Sequence, residues 1–247
     1  MQIETCLHGD NLIHIGHAGS DAFVVDPGSA APVLDWLRRE HRTLTCILVT
    51  HGHADHTGGC AELRRECGCA LVMPAGARRK GDRAVRGGDT LEAAGVAMEV
   101  LDVPGHTDHD VAYFSREAGV VCTGDTLFLC GCGRVSGERW EQMWSSLCRL
   151  RDLPPETNVL CGHDYTLENL DFALHLEPDH AALRRRRAAC TAAARPGRAP
   201  APSTVAEERA TNPFLRCDTP ELAAAVDMAG EPPVQVFTQI RRLKSSW

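Results

Sequence analysis

One segment in the first quarter of the chain limits the possible structures more than any other. An apolar run at 46–49 leads directly into a segment with four metal-binding side chains within six residues, Thr50-His51-Gly52-His53-Ala54-Asp55-His56. Side chains two positions apart on an extended chain share a face, so His51 and His53 can approach one ion. Where the chain turns, Asp55 and His56 can approach a second ion. Imidazole suits zinc and iron, and a carboxylate can bridge two cations, so the segment predicts a metal site at a strand end.

Three further metal-binding side chains follow later apolar runs. They are His106 in Pro104-Gly105-His106-Thr107, Asp125 in Thr123-Gly124-Asp125-Thr126, and His163 in Cys161-Gly162-His163-Asp164. Each comes just after a glycine, where a sheet presents side chains at its rim and the backbone can pass close to a ligand. A single histidine of this kind is usually structural. Together, however, these residues complete the ligands for two ions.

The pattern of apolar runs predicts an α/β fold. Predicted strands cover 12–15, 23–26, 46–50, 70–73, 96–103, 111–115, 120–123 and 159–161, and predicted helices cover 32–39, 61–66 and 138–150. Many strands with interspersed helices imply sheets covered by helices. After Tyr165, helices are predicted at 166–175, 179–194, 205–210, 220–228 and 234–243. We therefore expect a metal-binding catalytic domain at 1–164 and a helical domain at 165–247.

Composition and charge exclude several classes of function. The formal net charge of −7 argues against a nucleic-acid partner, because phosphate binding depends on clustered cations. The arginine run at 184–187 encircles a helix, and we expect it to be solvated surface. No signal peptide or membrane-spanning run is visible, so we expect a cytoplasmic protein, and we expect a monomer. The 12 cysteines are interpreted as small buried apolar residues, and the pairs Cys67/Cys69 and Cys130/Cys132 are too weak a signal for a zinc knuckle.

These motifs, in this order and spacing, resemble the metallo-β-lactamase superfamily. Within that superfamily the chain is similar to the glyoxalase II, or hydroxyacylglutathione hydrolase, family. The nearer matches are 103–107 (VPGHT), 123–128 (TGDTLF), 131–134 (GCGR), 161–166 (CGHDYT) and 212–216 (NPFLR). The resemblance implies an αββα sandwich with metals at the sheet edge, followed by a helical domain that helps to bind glutathione.

The resemblance also implies a role for each ligand. The first metal would take His51, His53 and His106, and the second would take Asp55, His56 and His163, with Asp125 bridging the two. Two divalent ions are expected, zinc in the first place, with iron or manganese also compatible. Asp55 and Asp125 would act in catalysis. Asp26 corresponds to a carboxylate that orients a ligand histidine, although a plain Asp-Pro-Gly turn explains it nearly as well.

The implied substrate is a glutathione thioester. The expected reaction cleaves S-D-lactoylglutathione, an S-2-hydroxyacylglutathione, to glutathione and a 2-hydroxy acid in methylglyoxal detoxification. Arg241 and Lys244, three apart on a predicted helix, correspond to the cationic pair that holds the glycine carboxylate of glutathione. Arg134 and Tyr165 correspond to further glutathione contacts.

The chain departs from the family pattern at three positions. His109 and Asp110 replace a Gly-His pair, which makes His109 a rival ligand to His106, and Ser136 replaces a tyrosine that contacts the thiol side of the substrate. Two other functions remain open: a persulfide dioxygenase of the same fold, which needs one iron, and a metal-stabilised binding module without catalysis. Structural zinc sites favour closed, Cys-rich ligand sets, whereas this one is His/Asp-rich.

Overall fold

The computed structural model of the protein describes residues 1–77 and 81–247. The N-terminal part forms a mixed sheet whose strands follow the order of the sequence: β1 (Gln2–His8), β2 (Asn11–Ala18), β3 (Asp21–Val25), β4 (Thr43–Leu48), β5 (Ala70–Pro74) and β6 (Arg83–Val85). The first three strands pair antiparallel, and β3 to β6 pair parallel. Between them in the chain lie α1 (Ala31–Glu40), α2 (Ala54–Thr57) and α3 (Cys60–Cys67).

A second sheet and a short hairpin follow. Their strands are β7 (Thr90–Ala93), β8 (Val96–Asp102), β9 (Val111–Ser115), β10 (Val120–Gly124), the hairpin strands β11 (Leu127–Phe128) and β12 (Gly131–Cys132), β13 (Asn158–Cys161) and β14 (Ser203–Thr204). The sheet order is β14-β13-β10-β9-β8-β7, and β11 pairs with β12 outside it. The second sheet thus takes its last strand from the C-terminal region.

The remaining helices cover the second sheet. They are α4 (Trp140–Arg151), α5 (Thr166–Leu176), α6 (Ala181–Ala193), α7 (Val205–Thr211), α8 (Pro220–Ala225) and α9 (Pro233–Ser246), with a 3₁₀ turn at Pro213–Leu215. Side chains of α4, α5, the 3₁₀ turn and α9 share one core with strand residues such as Val121 and Val159. The division at 164/165 therefore runs through a continuous apolar layer, and it stays a prediction.

Alternating strand residues build the layers. Val24 and Ile47 pack with Trp36 of α1 and Leu63 of α3 on the outer face of the first sheet. Their neighbours Phe23 and Leu48 point to the opposite face, where they pack with Val100 and Tyr113 of the second sheet. Helices thus lie outside two sheets that face each other, which confirms the predicted αββα sandwich.

The expectation of a wholly solvated arginine run is wrong for Arg186. Its side chain is buried because it lies three residues after the buried Leu183, on the inner face of α6. There it forms an ion pair with the buried Glu208 of α7 and donates hydrogen bonds to Ser203 and Thr211. The carboxylate of Glu208 also accepts a hydrogen bond from the backbone N–H of Cys130 at 2.8 Å, so this ion pair supports the hairpin between β11 and β12.

The twelve cysteines, which lie within the described residues, form no disulfide bonds with one another. Burial raises the pKa of Cys132 to about 11, so this thiol is neutral at ordinary pH and acts as an apolar side chain. Among residues 1–77 and 81–247, no helix combines the length and apolar character that crossing a bilayer requires.

Candidate metal centre

The loop that follows β4 is anchored by Asp26. The backbone N–H of Thr50 donates to Asp26 Oδ1 at 2.7 Å, and the Thr50 hydroxyl donates to Asp26 Oδ2 at 2.6 Å. Asp26 has a left-handed backbone conformation, with φ 51°, which Asp adopts more readily than most residues. The carboxylate therefore fixes the start of the segment that carries His51 and His53.

Three imidazoles meet at one side of this loop. Nε2 of His51 and Nε2 of His106 each lie 3.0 Å from Nδ1 of His53. Ligand atoms 2.0–2.1 Å from a tetrahedral zinc ion lie about 3.3 Å apart, so this spacing is close to that of a zinc-binding set. The three side chains form a group able to hold one ion.

A second group forms on the other side of the loop from Asp55, His56 and His163. Nε2 of His56 lies 3.3 Å from Nε2 of His163, and Asp55 Oδ2 lies 3.5 Å from the same nitrogen of His163. His56 and His163 are buried, whereas the side chain of Asp55 is 50% exposed, so this group is open to solvent at the carboxylate.

Asp125 lies between the two groups. Its Oδ2 is 3.5 Å from Nε2 of His106 in the first group and 3.5 Å from Nε2 of His163 in the second, and its Oδ1 is 3.3 Å from Nε2 of His56. One carboxylate therefore reaches both groups, which is the position that a bridging ligand requires.

The backbone around Asp125 leaves no room for larger residues. A Cβ added at Gly162 would lie 2.5 Å from Asp125 Oδ1 and 2.6 Å from Cε1 of His56. A Cβ at Gly133 would lie 1.8 Å from the backbone oxygen of Asp125. Glycine is required at both positions because the backbone that follows β12 and the backbone that follows β13 lie in direct contact with Asp125.

Outer contacts leave the Nε2 atoms free to bind metal. Nδ1 of His106 donates to the backbone oxygen of Arg134 at 3.0 Å, and Nδ1 of His56 lies 2.9 Å from the Asp26 carboxylate. Nδ1 of His51 lies 3.1 Å from the Thr50 hydroxyl, whose own proton goes to Asp26. A proton held on Nδ1 leaves the lone pair on Nε2, which fixes the tautomer that a metal needs.

Burial and charge also suit a cation at this site. Burial lowers the pKa of His51 to about 3, so its imidazole is neutral. Burial by itself would raise the pKa of Asp125, but the contacts with His163 and His56 outweigh it and hold that pKa well below its usual range. Within the described residues, buried Oδ1 of Asp125 has no hydrogen bond of good geometry. An ionised carboxylate beside the neutral imidazole of His51, with one oxygen that makes no well-formed hydrogen bond, fits a divalent cation.

The rival histidine lies outside this arrangement. His109 is exposed, and its ring packs over Gly76, where an added Cβ would lie 2.7 Å from it. Asp110 is buried and accepts a 2.6 Å hydrogen bond from the backbone N–H of Thr107, so it stabilises the turn that carries His106. The geometry therefore favours His106 as the ligand.

Two residues near the centre were missed by the sequence analysis. Asn11 donates to the backbone oxygen of Asp55 at 2.7 Å, and Asp10 accepts a 2.8 Å hydrogen bond from the Tyr165 hydroxyl. Asp10 Oδ2 also lies 3.7 Å from Nδ1 of His163. Both residues precede the predicted strand at 12–15, and an Asp-Asn pair before a strand is indistinguishable from an ordinary turn.

The predicted substrate contacts lie at different distances from the metal-binding groups. Tyr165 stacks on His163 with ring centroids 5.3 Å apart, whereas the exposed Arg134 contacts His106 through its backbone oxygen. Arg241 is buried and donates to the backbone oxygen of Cys132 at 3.1 Å. Lys244 is held by an ion pair with Glu168, Nζ to Oε1 2.6 Å.

Comparison with known proteins agrees with this fold and site. Residues 12–163 match the family model described as "Metallo-beta-lactamase superfamily". Among solved structures, ETHE1 from Myxococcus xanthus has a TM-score of 0.68 at 25% identity and covers 100% of this chain and 99% of its own. A di-iron-bound form of TTHA1623 has a TM-score of 0.61 at 22% identity and covers 87% of this chain and 100% of its own. The fold and the His/Asp groups thus define a metallo-β-lactamase-fold enzyme.

The C-terminal region narrows the class further. Residues 164–247 match the family model described as "Hydroxyacylglutathione hydrolase C-terminus". The hydroxyacylglutathione hydrolase from Rhodopseudomonas palustris is 44% identical, covering 99% of this chain and 98% of its own. The enzyme of that name from Methylococcus capsulatus is 45% identical, covering 95% and 94%. The chain belongs to the hydroxyacylglutathione hydrolase family of thioester hydrolases, as the sequence motifs predicted.

Proposed function

We propose that this enzyme hydrolyses S-2-hydroxyacylglutathione, with S-D-lactoylglutathione as the expected substrate, to glutathione and a 2-hydroxy acid. The observation that carries the proposal is Asp125, whose two oxygens lie within 3.5 Å of three histidines from two metal-binding groups. The family of the C-terminal region supports glutathione as the thiol, and full-length relatives carry the name of this activity.

The proposed metal ligands are those predicted from the sequence. His51, His53 and His106 would hold the first ion, Asp55, His56 and His163 the second, and Asp125 would bridge the two. Zinc is the proposed metal, and iron or manganese would suit the same nitrogen and oxygen donors. When bound, the ions would polarise the thioester carbonyl and bring the pKa of a coordinated water to about 7.

Side chains of the protein organise the rest of the reaction. Asp55, the exposed carboxylate of the second group, can accept a hydrogen bond from the attacking water and orient its oxygen towards the carbonyl carbon. That oxygen adds to the carbon, the carbon–sulfur bond breaks, and the sulfur leaves as a thiolate that then takes up a proton. A thiolate is a good leaving group near neutral pH, so no serine or cysteine nucleophile is needed.

The glutathione part of the substrate is proposed to lie near α9. Tyr165 stacks beside His163, and Arg241 extends to the end of β12, where it donates to the backbone oxygen of Cys132. Nε of Arg241 has no hydrogen-bond partner among the described residues, although it is buried. Lys244 would have to exchange Glu168, whose side chain is 63% exposed, for a substrate carboxylate. Arg134 is proposed as a further contact.

The two alternatives make different predictions about metal content. A mononuclear persulfide dioxygenase would leave the second group empty, and a metal-stabilised binding module would have no turnover. The second group offers three ligand atoms of its own and shares Asp125 with the first group. This arrangement favours two ions. A monomeric state and a cytoplasmic location remain predictions.

Hydrolysis of S-D-lactoylglutathione by the purified, metal-loaded protein tests the proposed activity. We expect turnover that a strong chelator removes and that added zinc restores. Oxidation of glutathione persulfide with oxygen uptake, and no release of glutathione from the thioester, would favour the dioxygenase instead.

A further inference from the structure

The segment 132–139 passes the first metal-binding group between two arginine side chains. At its start, the backbone oxygen of Cys132 accepts a 3.1 Å hydrogen bond from Arg241, the proposed contact of the glycine carboxylate. In its middle, the backbone oxygen of Arg134 accepts a hydrogen bond from Nδ1 of His106, a member of the first group. At its end is a second guanidinium. The segment therefore leads from the glycine end of the proposed substrate, past the first group, to another cation.

The second guanidinium is that of Arg139, which directly precedes α4. Its Nε lies 2.5 Å from Oδ1 of Asp108, and its Nη2 forms an ion pair with the same oxygen. Its Nη1 donates to the backbone oxygen of Ser136 at 2.7 Å. These contacts use only part of the five N–H groups of a guanidinium and only one oxygen of Asp108, so donors and an acceptor remain for a ligand.

The ion pair of Arg139 and Asp108 faces an open cleft of about 530 Å³. Both residues line this cleft together with His53 of the first metal-binding group and Ser136. The hydroxyl of Ser136 donates to the backbone oxygen of His106 at 2.6 Å, so this side chain turns away from the cleft. The side chains of Arg139 and Asp108 are 28% and 59% exposed. A substrate bound at the first group can therefore reach both charges.

Glutathione has two chemically different ends. Its glycine end carries a carboxylate alone, whereas its γ-glutamyl end carries a carboxylate and an ammonium group on the same carbon. Arg241, whose hydrogen bonds to described residues go to neutral groups, suits the first end. An adjacent cation and anion suit the second end, because each substrate charge meets its opposite. The cysteine sulfur lies between the two ends, just as the middle of the segment 132–139 lies beside the first group.

We propose that Arg139 and Asp108 form the subsite for the γ-glutamyl end of the thioester, with Arg139 holding the α-carboxylate and Asp108 the α-ammonium group. The proposal rests on the proposed hydrolysis of glutathione thioesters. It also gives the substrate a direction, with its glycine end at Arg241 and its γ-glutamyl end at the start of α4. The subsite favours thiols that carry a free amino-acid group over thiols that lack one.

The test uses three D-lactoyl thioesters that differ only at this end. Their thiols are glutathione, glutaryl-cysteinylglycine, which lacks the ammonium group, and 4-aminobutyryl-cysteinylglycine, which lacks the carboxylate. With the metal-loaded parent enzyme, we expect KM to be about fivefold higher for each truncated thioester, because exposed ion pairs are weak. The value of kcat should stay nearly unchanged, because the contact is distant from the carbonyl and stabilises ground state and transition state alike.

Two variants connect each substrate charge to its partner. Arg139→Gln should raise KM about fivefold for the two thioesters that carry the carboxylate and change the 4-aminobutyryl thioester by less than about twofold. Asp108→Asn should raise KM to the same degree for the two thioesters that carry the ammonium group and spare the glutaryl thioester. A residue that only maintained the shape of the cleft would change all three alike.

Two further variants serve as controls. Arg64→Gln breaks an ion pair with Asp82 of comparable exposure that lies outside the cleft lining, so KM should change by less than about twofold for all three thioesters. Glu168→Gln removes the carboxylate beside Lys244 at the proposed glycine end. It should therefore not alter the preference for thioesters that carry the ammonium group.

Equal KM values for the three thioesters in a parent enzyme that cleaves them would overturn the subsite and leave the proposed function intact. A uniform change across all three in Arg139→Gln and in Asp108→Asn would overturn it as well. So would a loss of the preference for the ammonium group in Glu168→Gln alone, which would mean that the substrate binds in the opposite direction. If Arg139→Gln loses metal or does not fold, Asp108→Asn at the exposed partner decides the matter. A parent enzyme that cleaves none of the thioesters would overturn both the subsite and the proposed function.

Discussion

Replacing Arg186 by Met should destabilise the protein strongly, whereas the same change at the next residue should not. The side chain of Arg186 is 4% exposed, and its partner Glu208 is fully buried. Without Arg186, the Glu208 carboxylate keeps only neutral donors, among them the N–H of Cys130 and the side-chain amide of Asn212. Arg187, in contrast, pairs with Asp171 at the surface of the same helix.

The expected losses in the free energy of unfolding follow from how deeply each ion pair is buried. Breaking a buried ion pair by removing one partner costs about 3–5 kcal/mol, because the other charge is left uncompensated. An exposed pair such as that of Arg187 contributes less than about 1 kcal/mol. In a protein of this size, 1 kcal/mol shifts Tm by roughly 2–4 °C, so Arg186→Met should lower Tm by roughly 6–20 °C.

Urea unfolding of metal-loaded protein, followed by circular dichroism, measures both variants under one condition. Adding Glu208→Gln to Arg186→Met removes the uncompensated charge, so at least about 1 kcal/mol should return. Equal free energies of unfolding for Arg186→Met and Arg187→Met would refute the reasoning, since it depends entirely on the difference in burial.

Two further predictions concern the site. His106→Ala should lose metal and most activity, whereas His109→Ala should keep both within a few-fold. Metal analysis and the rate of S-D-lactoylglutathione hydrolysis check this prediction. A reversed result would make His109 the ligand. Arg241→Ala should raise KM for a glutathione thioester about tenfold with kcat nearly unchanged, because a distant carboxylate contact stabilises ground state and transition state alike. Arg242→Ala is the control variant. Equal KM values for Arg241→Ala and Arg242→Ala would show that Arg241 does not bind glutathione.

The parts of the fold that the sequence predicted are those with strong local patterns. Buried runs such as those at 46–50 and 96–103 lie in β4 and β8, where apolar side chains pack on one or both faces. The sequence analysis missed β1, β6, β7 and β14, which lie at sheet edges, and the two-residue hairpin strands β11 and β12. Their pairing is determined by tertiary contacts that composition does not encode.

The same difference between local sequence patterns and tertiary contacts applies to the site. Histidines and aspartates that follow strand ends were identifiable because parallel and neighbouring strands bring their ends to one edge. The function of Asp10 depends on Tyr165, 155 residues away in the chain, and that of Arg186 depends on Glu208. No local pattern distinguishes either residue from a surface charge.

Metal content per chain in the parent and in Asp125→Ala tests the central claim most directly. If Asp125 bridges two ions, the parent should contain two divalent ions per chain by elemental analysis. Asp125→Ala should then contain one or none and lose most hydrolysis of S-D-lactoylglutathione. A parent with one ion, or a variant with two ions and a near-normal rate, would contradict a binuclear centre bridged by this carboxylate.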